Sequence, residues 1–223
     1  MTAITSSEIT LPQGRIRYRE AGSGDPVVLV HGLLTNAELW REVIPLLAQD
    51  FRVIAPDWPL GSHTIPLGPH ADLTPSGLAR IIADFLAALE LEDVTLVGND
   101  TGGAICQLVA ANHPDRLGRL VLTPCDAYEN FLPPAFRPLQ VLARVPGAVF
   151  VILNELRFGP ARRAPLAYGW VTKRADNALT RAWIQPALSS RAIRREVAAV
   201  LKGISSATRS RPQSASRASR HPC

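Results

Sequence analysis

The sequence predicts an α/β fold with a mostly parallel sheet and helices on both faces. Three observations predict it. Short apolar runs of strand character alternate with longer segments whose apolar residues recur at helical spacing. The run Val27–Val30 is apolar without interruption, as expected of a strand buried on both faces. His31, Asp57, Asp100 and Asp126 each follow closely on one of these strands. A parallel sheet would gather them at its carboxyl ends, where open α/β sheets bind ligands.

Taken in order, Ile9–Arg19 reads as a hairpin turning at Gln13-Gly14, with Ile16 and Tyr18 alternating along one strand. Leu39–Leu47 has helical spacing. Phe51–Ala55 is the next strand and leads into Pro56-Asp57-Trp58. A Pro- and Gly-rich loop spans residues 59–75. Leu78, Ile81, Ile82, Phe85, Leu86 and Leu89 then mark a helix. Val94–Val97 is a strand that runs into Gly98-Asn99-Asp100-Thr101-Gly102, followed by a helix with Ile105, Leu108 and Val109 on one face. Leu120–Thr123 is a further strand, and right-handed crossovers join the parallel ones. From Ala127 to Lys202 short helical patterns broken by prolines take over, with Trp170 and Trp183 among them. Beyond Gly203, Ser, Arg, Ala and Pro dominate and Ile204 is the one large apolar residue, a composition expected to lack ordered structure. The chain therefore divides into a core (1–126), a helical part (127–202) and a low-complexity tail (203–223).

The pattern small–X–acid–X–small at Gly98–Gly102, set between strand and helix, is that of a nucleophile elbow with aspartate in place of serine. Glycines at 98 and 102 leave room where a Cβ would meet the neighbouring strand and helix. The same residues also read as an ordinary βα turn, with Asn99 and Asp100 as turn formers and helix cap. Upstream, PVVLVHGLL (Pro26–Leu34) is an apolar strand ending in His31-Gly32. These two motifs, in this order, resemble the α/β-hydrolase superfamily, and within it the aspartate-nucleophile branch of haloalkane dehalogenases and epoxide hydrolases, over roughly residues 9–200.

The resemblance implies a helical cap at 127–202; an irregular helical extension is the plainer alternative. It implies that ionised Asp100 attacks an electrophilic carbon to form an ester on the enzyme. The main-chain N–H groups of Leu33 and Thr101 would form an oxyanion hole. The histidine that hydrolyses such an ester is implied in a loop after a final strand. Here that place holds the low-complexity tail, so a frameshifted or truncated reading frame, missing last strands and impaired turnover are expected. Of the histidines present, His31 reads as structural and His113 closes the elbow helix, a favourable place for a cation. His63 and His70 lie in the loop after the fourth strand, and His221 in the tail. Asp126 is a candidate triad acid, or else caps the first cap helix; Asp57 shapes its turn.

The implied substrate is a small apolar organic electrophile, a haloalkane or an epoxide, with no cofactor or metal. The sequence departs from both patterns. Haloalkane dehalogenases typically hold halide with a tryptophan after the nucleophile and Asn or Glu after His-Gly, where Thr101 and Leu33 stand. Epoxide hydrolases commonly have His-Gly-X-Pro, and Leu34 replaces the proline; Tyr128 and Tyr168 are the cap tyrosines that could open a ring. A non-catalytic binding protein of this fold, or a serine-type esterase using Ser62, are the other readings. Missing last strands would leave Leu120–Thr123 as an apolar edge open to self-association.

Composition narrows the classes further. At 223 residues and 47% apolar content the chain is long enough for a sizeable core, in one domain or two small ones. The net charge of +5 suggests nucleic acid, but Arg209, Arg211, Arg217 and Arg220 supply four of those charges from an acid-free tail, leaving only +1 for the rest. Cys106, Cys125 and Cys223 are odd in number and have no metal-ligand spacing. The N-terminal MTAITSSEIT has no basic patch or apolar run, and Ala148–Leu153 is too short to cross a bilayer. A cytoplasmic chain with reduced thiols, engaging neither membrane nor nucleic acid, is expected.

Overall fold

The computed structural model describes residues 3–125, 136–169, 172 and 176–209. Its strands are β1 (Thr5–Leu11), β2 (Gly14–Ala21), β3 (Pro26–Val30), β4 (Arg52–Pro56), β5 (Val94–Asp100) and β6 (Leu117–Cys125). They form one sheet in the order β1-β2-β4-β3-β5-β6. The β1–β2 hairpin adds antiparallel to β4, and β4, β3, β5 and β6 run parallel. The helices are α1 (Ile44–Leu47), α2 (Pro75–Ala88), α3 (Thr101–Asn112), α4 (Arg137–Leu142), α5 (Ala148–Glu155), α6 (Gly159–Arg162), α7 (Asn177–Ser189) and α8 (Arg191–Arg209).

The unbroken apolar run of β3 has the cause expected of it. Val27 and Leu29 pack against Trp40 and Ile44 on one face of the sheet. Val28 and Val30 pack on the other with residues of α2 and α3, including Phe85 and Ile105. Phe85 meets the rings of Tyr18 and Trp58 edge-on, at 5.5 and 5.1 Å between centroids. Helix α2 starts at Pro75, before the apolar period shows itself, because Thr74 caps it by accepting the Gly77 N–H and Pro75 suits a first helical position.

Three boundaries differ from the sequence reading. The hairpin turns through Pro12-Gln13, with Gly14 (φ +141°) already paired to Leu11 as the first residue of β2. Leu39–Leu47 is not one helix. A 3₁₀ turn at Ala37–Trp40 ends before α1, whose first turn contains Pro45, a residue without the N–H that a continuous helix would need. Helix α8 continues past Gly203 to Arg209, into the segment whose composition is expected to lack order. Its apolar spacing, Ile193, Val197, Val200, Leu201 and Ile204, crosses the glycine unbroken, and Ile204 is buried in the main core. Gly203 is there for closeness: a Cβ would stand 2.9 Å from Thr74 Cα.

The helical layer settles on the loops that leave β3 and β4. Leu33 and Leu34 pack against the cluster of Leu153, Ile193 and Val197, and Leu34 also against that of Tyr168 and Trp183. Chain connections leave β3 and β5 in opposite directions across the sheet, and open α/β sheets bind ligands at such a switch point. At the far side, β6 pairs with β5 alone among the described residues, and Leu120, Val121 and Leu122 are exposed along it. No helix among the described residues is long and apolar enough to cross a membrane.

Candidate active site

Asp100 ends β5 and precedes α3 with φ 53° and ψ −133°, a conformation that a non-glycine residue adopts at a cost of about 1–3 kcal/mol. The turn is tight enough to aim the carboxylate across at the end of β3. There the main-chain N–H groups of Thr101 and Leu33 favour its ionised form, and the Thr101 hydroxyl lies 3.5 Å away. Burial raises its pKa above the ordinary 3.8, and the hydrogen bonds from Thr101 and Leu33 act against that rise without cancelling it.

Three glycines make the approach possible. A Cβ on Gly32 would stand 2.1 Å from Asp100 Oδ2, and one on Gly102 would stand 2.4 Å from the His31 carbonyl oxygen. A Cβ on Gly98 would stand 2.5 Å from Gly103 Cα. Asn99 locks the turn from the side, donating to Thr123 Oγ1 (2.9 Å) and the Pro124 carbonyl (3.2 Å), while Thr123 Oγ1 donates to the Gly98 carbonyl (3.0 Å). Sequence reasoning treated Asn99 only as a turn former; its amide beside a threonine on the next strand was the unread signal.

The loop carrying the Leu33 amide is held at nearly every residue. His31 is wholly buried, with Nδ1 2.9 Å from the Gly32 carbonyl oxygen and Nε2 accepting the Trp58 N–H at 2.9 Å. Burial lowers its pKa to about 4, so it is neutral near pH 7, donating from Nδ1 and accepting at Nε2. Leu34, itself at φ 53°, donates its N–H to the Leu60 carbonyl and accepts from the Tyr168 hydroxyl at 2.7 Å. The Thr35 hydroxyl donates to the Gly32 carbonyl, and Asn36 Oδ1 accepts from both Glu38 N–H and the Trp183 indole N–H. Asp57 accepts the Ala37 N–H at 3.0 Å, the turn-shaping place expected of it.

These contacts settle several assignments. Tyr168 has its hydroxyl proton on Leu34, so it is not free to open an epoxide; the other cap tyrosine, Tyr128, lies outside the described residues. Ser62 is buried and donates to the Trp183 carbonyl at 2.6 Å, outside any strand-to-helix turn, which removes it as an esterase nucleophile. His63 uses both ring nitrogens, one against the Gly61 N–H and one against Glu196 at 2.5 Å. His70 is exposed, and His113 caps the end of α3 as expected. Asp126 and His221 lie outside the described residues. No metal-binding cluster of His, Cys, Asp or Glu occurs among the described residues.

Comparison with known proteins places the fold. A family model described as alpha/beta hydrolase fold matches residues 25–191. The chain is 45% identical over 107 residues to a 2-hydroxy-6-oxo-2,4-heptadienoate hydrolase of Pseudomonas putida, covering 46% of this chain and 38% of that protein. It is 34% identical over 152 residues to a haloalkane dehalogenase of Mesorhizobium japonicum, covering 66% of this chain and 48% of that one. The matched stretches thus span less than half of either relative. The solved structure of the epoxide hydrolase CorEH superposes with a TM-score of 0.74 at 23% identity, over 90% of this chain and 74% of that one, a likeness of fold.

Gly102→Ala tests the closeness on which the site depends. Its new Cβ would meet main-chain oxygens of Val30 and His31 at 2.6 and 2.4 Å, and backbone cannot swing aside as a side chain can. The substitution is expected to lower stability by about 1–3 kcal/mol in urea unfolding. An unchanged midpoint would show that β3 and α3 are not packed as described.

Proposed function

The chain belongs to the alpha/beta hydrolase fold family, and from that premise we propose that Asp100 is the nucleophile of a hydrolase acting on small apolar electrophiles. The observation that carries the reading is the strained Asp100 carboxylate lying under two converging main-chain amides. An ionised carboxylate needs no base for its attack. One oxygen bonds to the electrophilic carbon, the carbon–halogen bond breaks, and halide leaves with the bonding electrons. A haloalkane suits the site better than an epoxide, because a halide departs without a proton whereas an epoxide oxygen needs one, and Tyr168 has none to spare. A relative of this chain is a haloalkane dehalogenase, which supports the same choice.

The resulting ester would be hydrolysed by activated water through a tetrahedral species whose oxyanion faces the Leu33 and Thr101 amides. That step requires a base. His31 and His63 are committed through both ring nitrogens, His70 is exposed on its loop and His113 closes the far end of α3, so we assign none of these four to it. Asp126 retains the place of a triad acid just beyond β6. The proposed activity is therefore ester formation with impaired release. A binding protein without catalysis is the second reading, favoured by the same engaged histidines.

Incubation with 1-bromobutane followed by intact-mass and peptide analysis separates these. A butyl adduct on Asp100 that persists, and is absent from Asp100→Asn, is the expected result. Steady bromide release would overturn the impaired step, and no adduct at all would favour the binding reading. The rate of adduct formation should climb with pH through a midpoint above 3.8, since burial raises the carboxyl pKa and only the ionised form attacks. A midpoint below that value would contradict the burial described. We also infer that copies of the chain associate through β6, where Leu120, Val121 and Leu122 lie exposed on an edge with no further strand among the described residues. Light scattering should report a species larger than one chain, reduced to a monomer by Val121→Lys; a monomeric wild-type chain would refute it.

A further inference from the structure

Arg162, the last residue of α6, is 4% exposed. Its guanidinium forms no ion pair among the described residues. Nε donates to Thr180 Oγ1 at 3.2 Å, and Nη1 donates to the carbonyls of Leu156 and Arg157 at 2.8 and 2.7 Å. Those carbonyls close the C-terminal end of α5, so part of the role of Arg162 is to complete that helix and answer its dipole. Carbonyl dipoles do not supply a full counter-charge, and a buried cation held by dipoles alone is costly. Nη2 is the less occupied edge. Arginine has five N–H groups, and of the two on Nη2 one has a partner among the described residues, the Asn177 carbonyl at a long 3.4 Å.

This guanidinium lines a pocket shared with Arg163, Tyr168, Gly169, Thr172, Asn177 and Thr180. Among the described residues the pocket is lined by two arginines and no acid. Arg163 is exposed. The carboxylate next along the chain, Asp176, uses Oδ1 to cap α7 through the Leu179 N–H at 2.7 Å. Tyr168 sends its hydroxyl away to Leu34, so its ring serves as a wall. The described lining is thus two positive charges among neutral hydroxyl and amide groups, open to solvent and with no anion among them.

We propose that this pocket binds a small oxyanion, a carboxylate or a phosphate, between Arg162 and Arg163. Either ligand offers the charged oxygens that guanidinium N–H groups bind most strongly. The site is distinct from Asp100 and does not depend on the chemistry assigned there.

Calorimetric titration of the full chain with sodium acetate, inorganic phosphate and sodium chloride, at matched ionic strength, tests it. Saturable binding of acetate or phosphate is expected, with none of chloride, and whichever saturates identifies the source. Arg163→Gln, at an exposed position that leaves α6 intact, should weaken binding about tenfold. Asp100→Asn should leave it unchanged, which separates this proposal from the one concerning the nucleophile. Equal binding by Arg163→Gln, an equal response to chloride, or saturation by neither oxyanion would overturn it.

Discussion

The structure depends on how closely two pieces of main chain approach each other: the turn after β3 and the turn between β5 and α3. A carboxylate can face two amides from different segments only if those segments nearly touch. Gly32 and Gly102 lie on either side of that contact, and each has backbone or the Asp100 side chain where a Cβ would go. The remaining architecture serves the approach. Parallel pairing of β3 with β5 fixes the height of the two turns, from Val27 opposite Thr95 to Val30 opposite Gly98. The bonds of Asn99 and Thr123 then fasten the elbow to β6.

Stability is given up at this place. Asp100 occupies a backbone region that side chains avoid, and its charge is partly withdrawn from water. Because burial raises its pKa in the folded state, the folded chain binds that proton more tightly than the unfolded chain does. The penalty for the ionised group is absent below the unfolded value of 3.8 and grows to its full size above the raised folded one. A strained, poorly solvated carboxylate with no cation paired to it among the described residues is kept in place by the packing around it. Strain of this kind is what the reactive role proposed for Asp100 would draw on.

Much of this was legible in the sequence where the signal is local. Strands buried on both faces cannot alternate, so Val27–Val30 declared itself, and glycines flanking an acid between strand and helix declared the elbow. What escaped was non-local. Tyr168 and Trp183 looked like cap aromatics, yet their polar atoms reach Leu34 and Asn36 in the loop that carries the Leu33 amide. Neither contact has a counterpart in spacing or composition, because the partners are far apart along the chain. Gly203 misled for the opposite reason. It marked the start of low-complexity sequence, whereas its lack of a side chain lets α8 lie against Thr74 and bury Ile204.

The two buried histidines show how the same residue type is spent on architecture. An imidazole can bridge two segments by donating from one nitrogen and accepting at the other, but only while neutral. His31 does this between its own turn and Trp58, and burial, which lowers its pKa to about 4, keeps it neutral over the range in which a general base would have to gain a proton. Its proximity to Asp100 along the fold is therefore not a catalytic argument. Protonation at Nε2 would break the bond from the Trp58 amide and loosen the loop that presents Leu33. His63 joins the β4 loop to Glu196 of α8, and Glu196 in turn accepts the Leu67 N–H. A water-activating base needs a free nitrogen directed at the ester, and both of these residues have used theirs to hold together the loops around it.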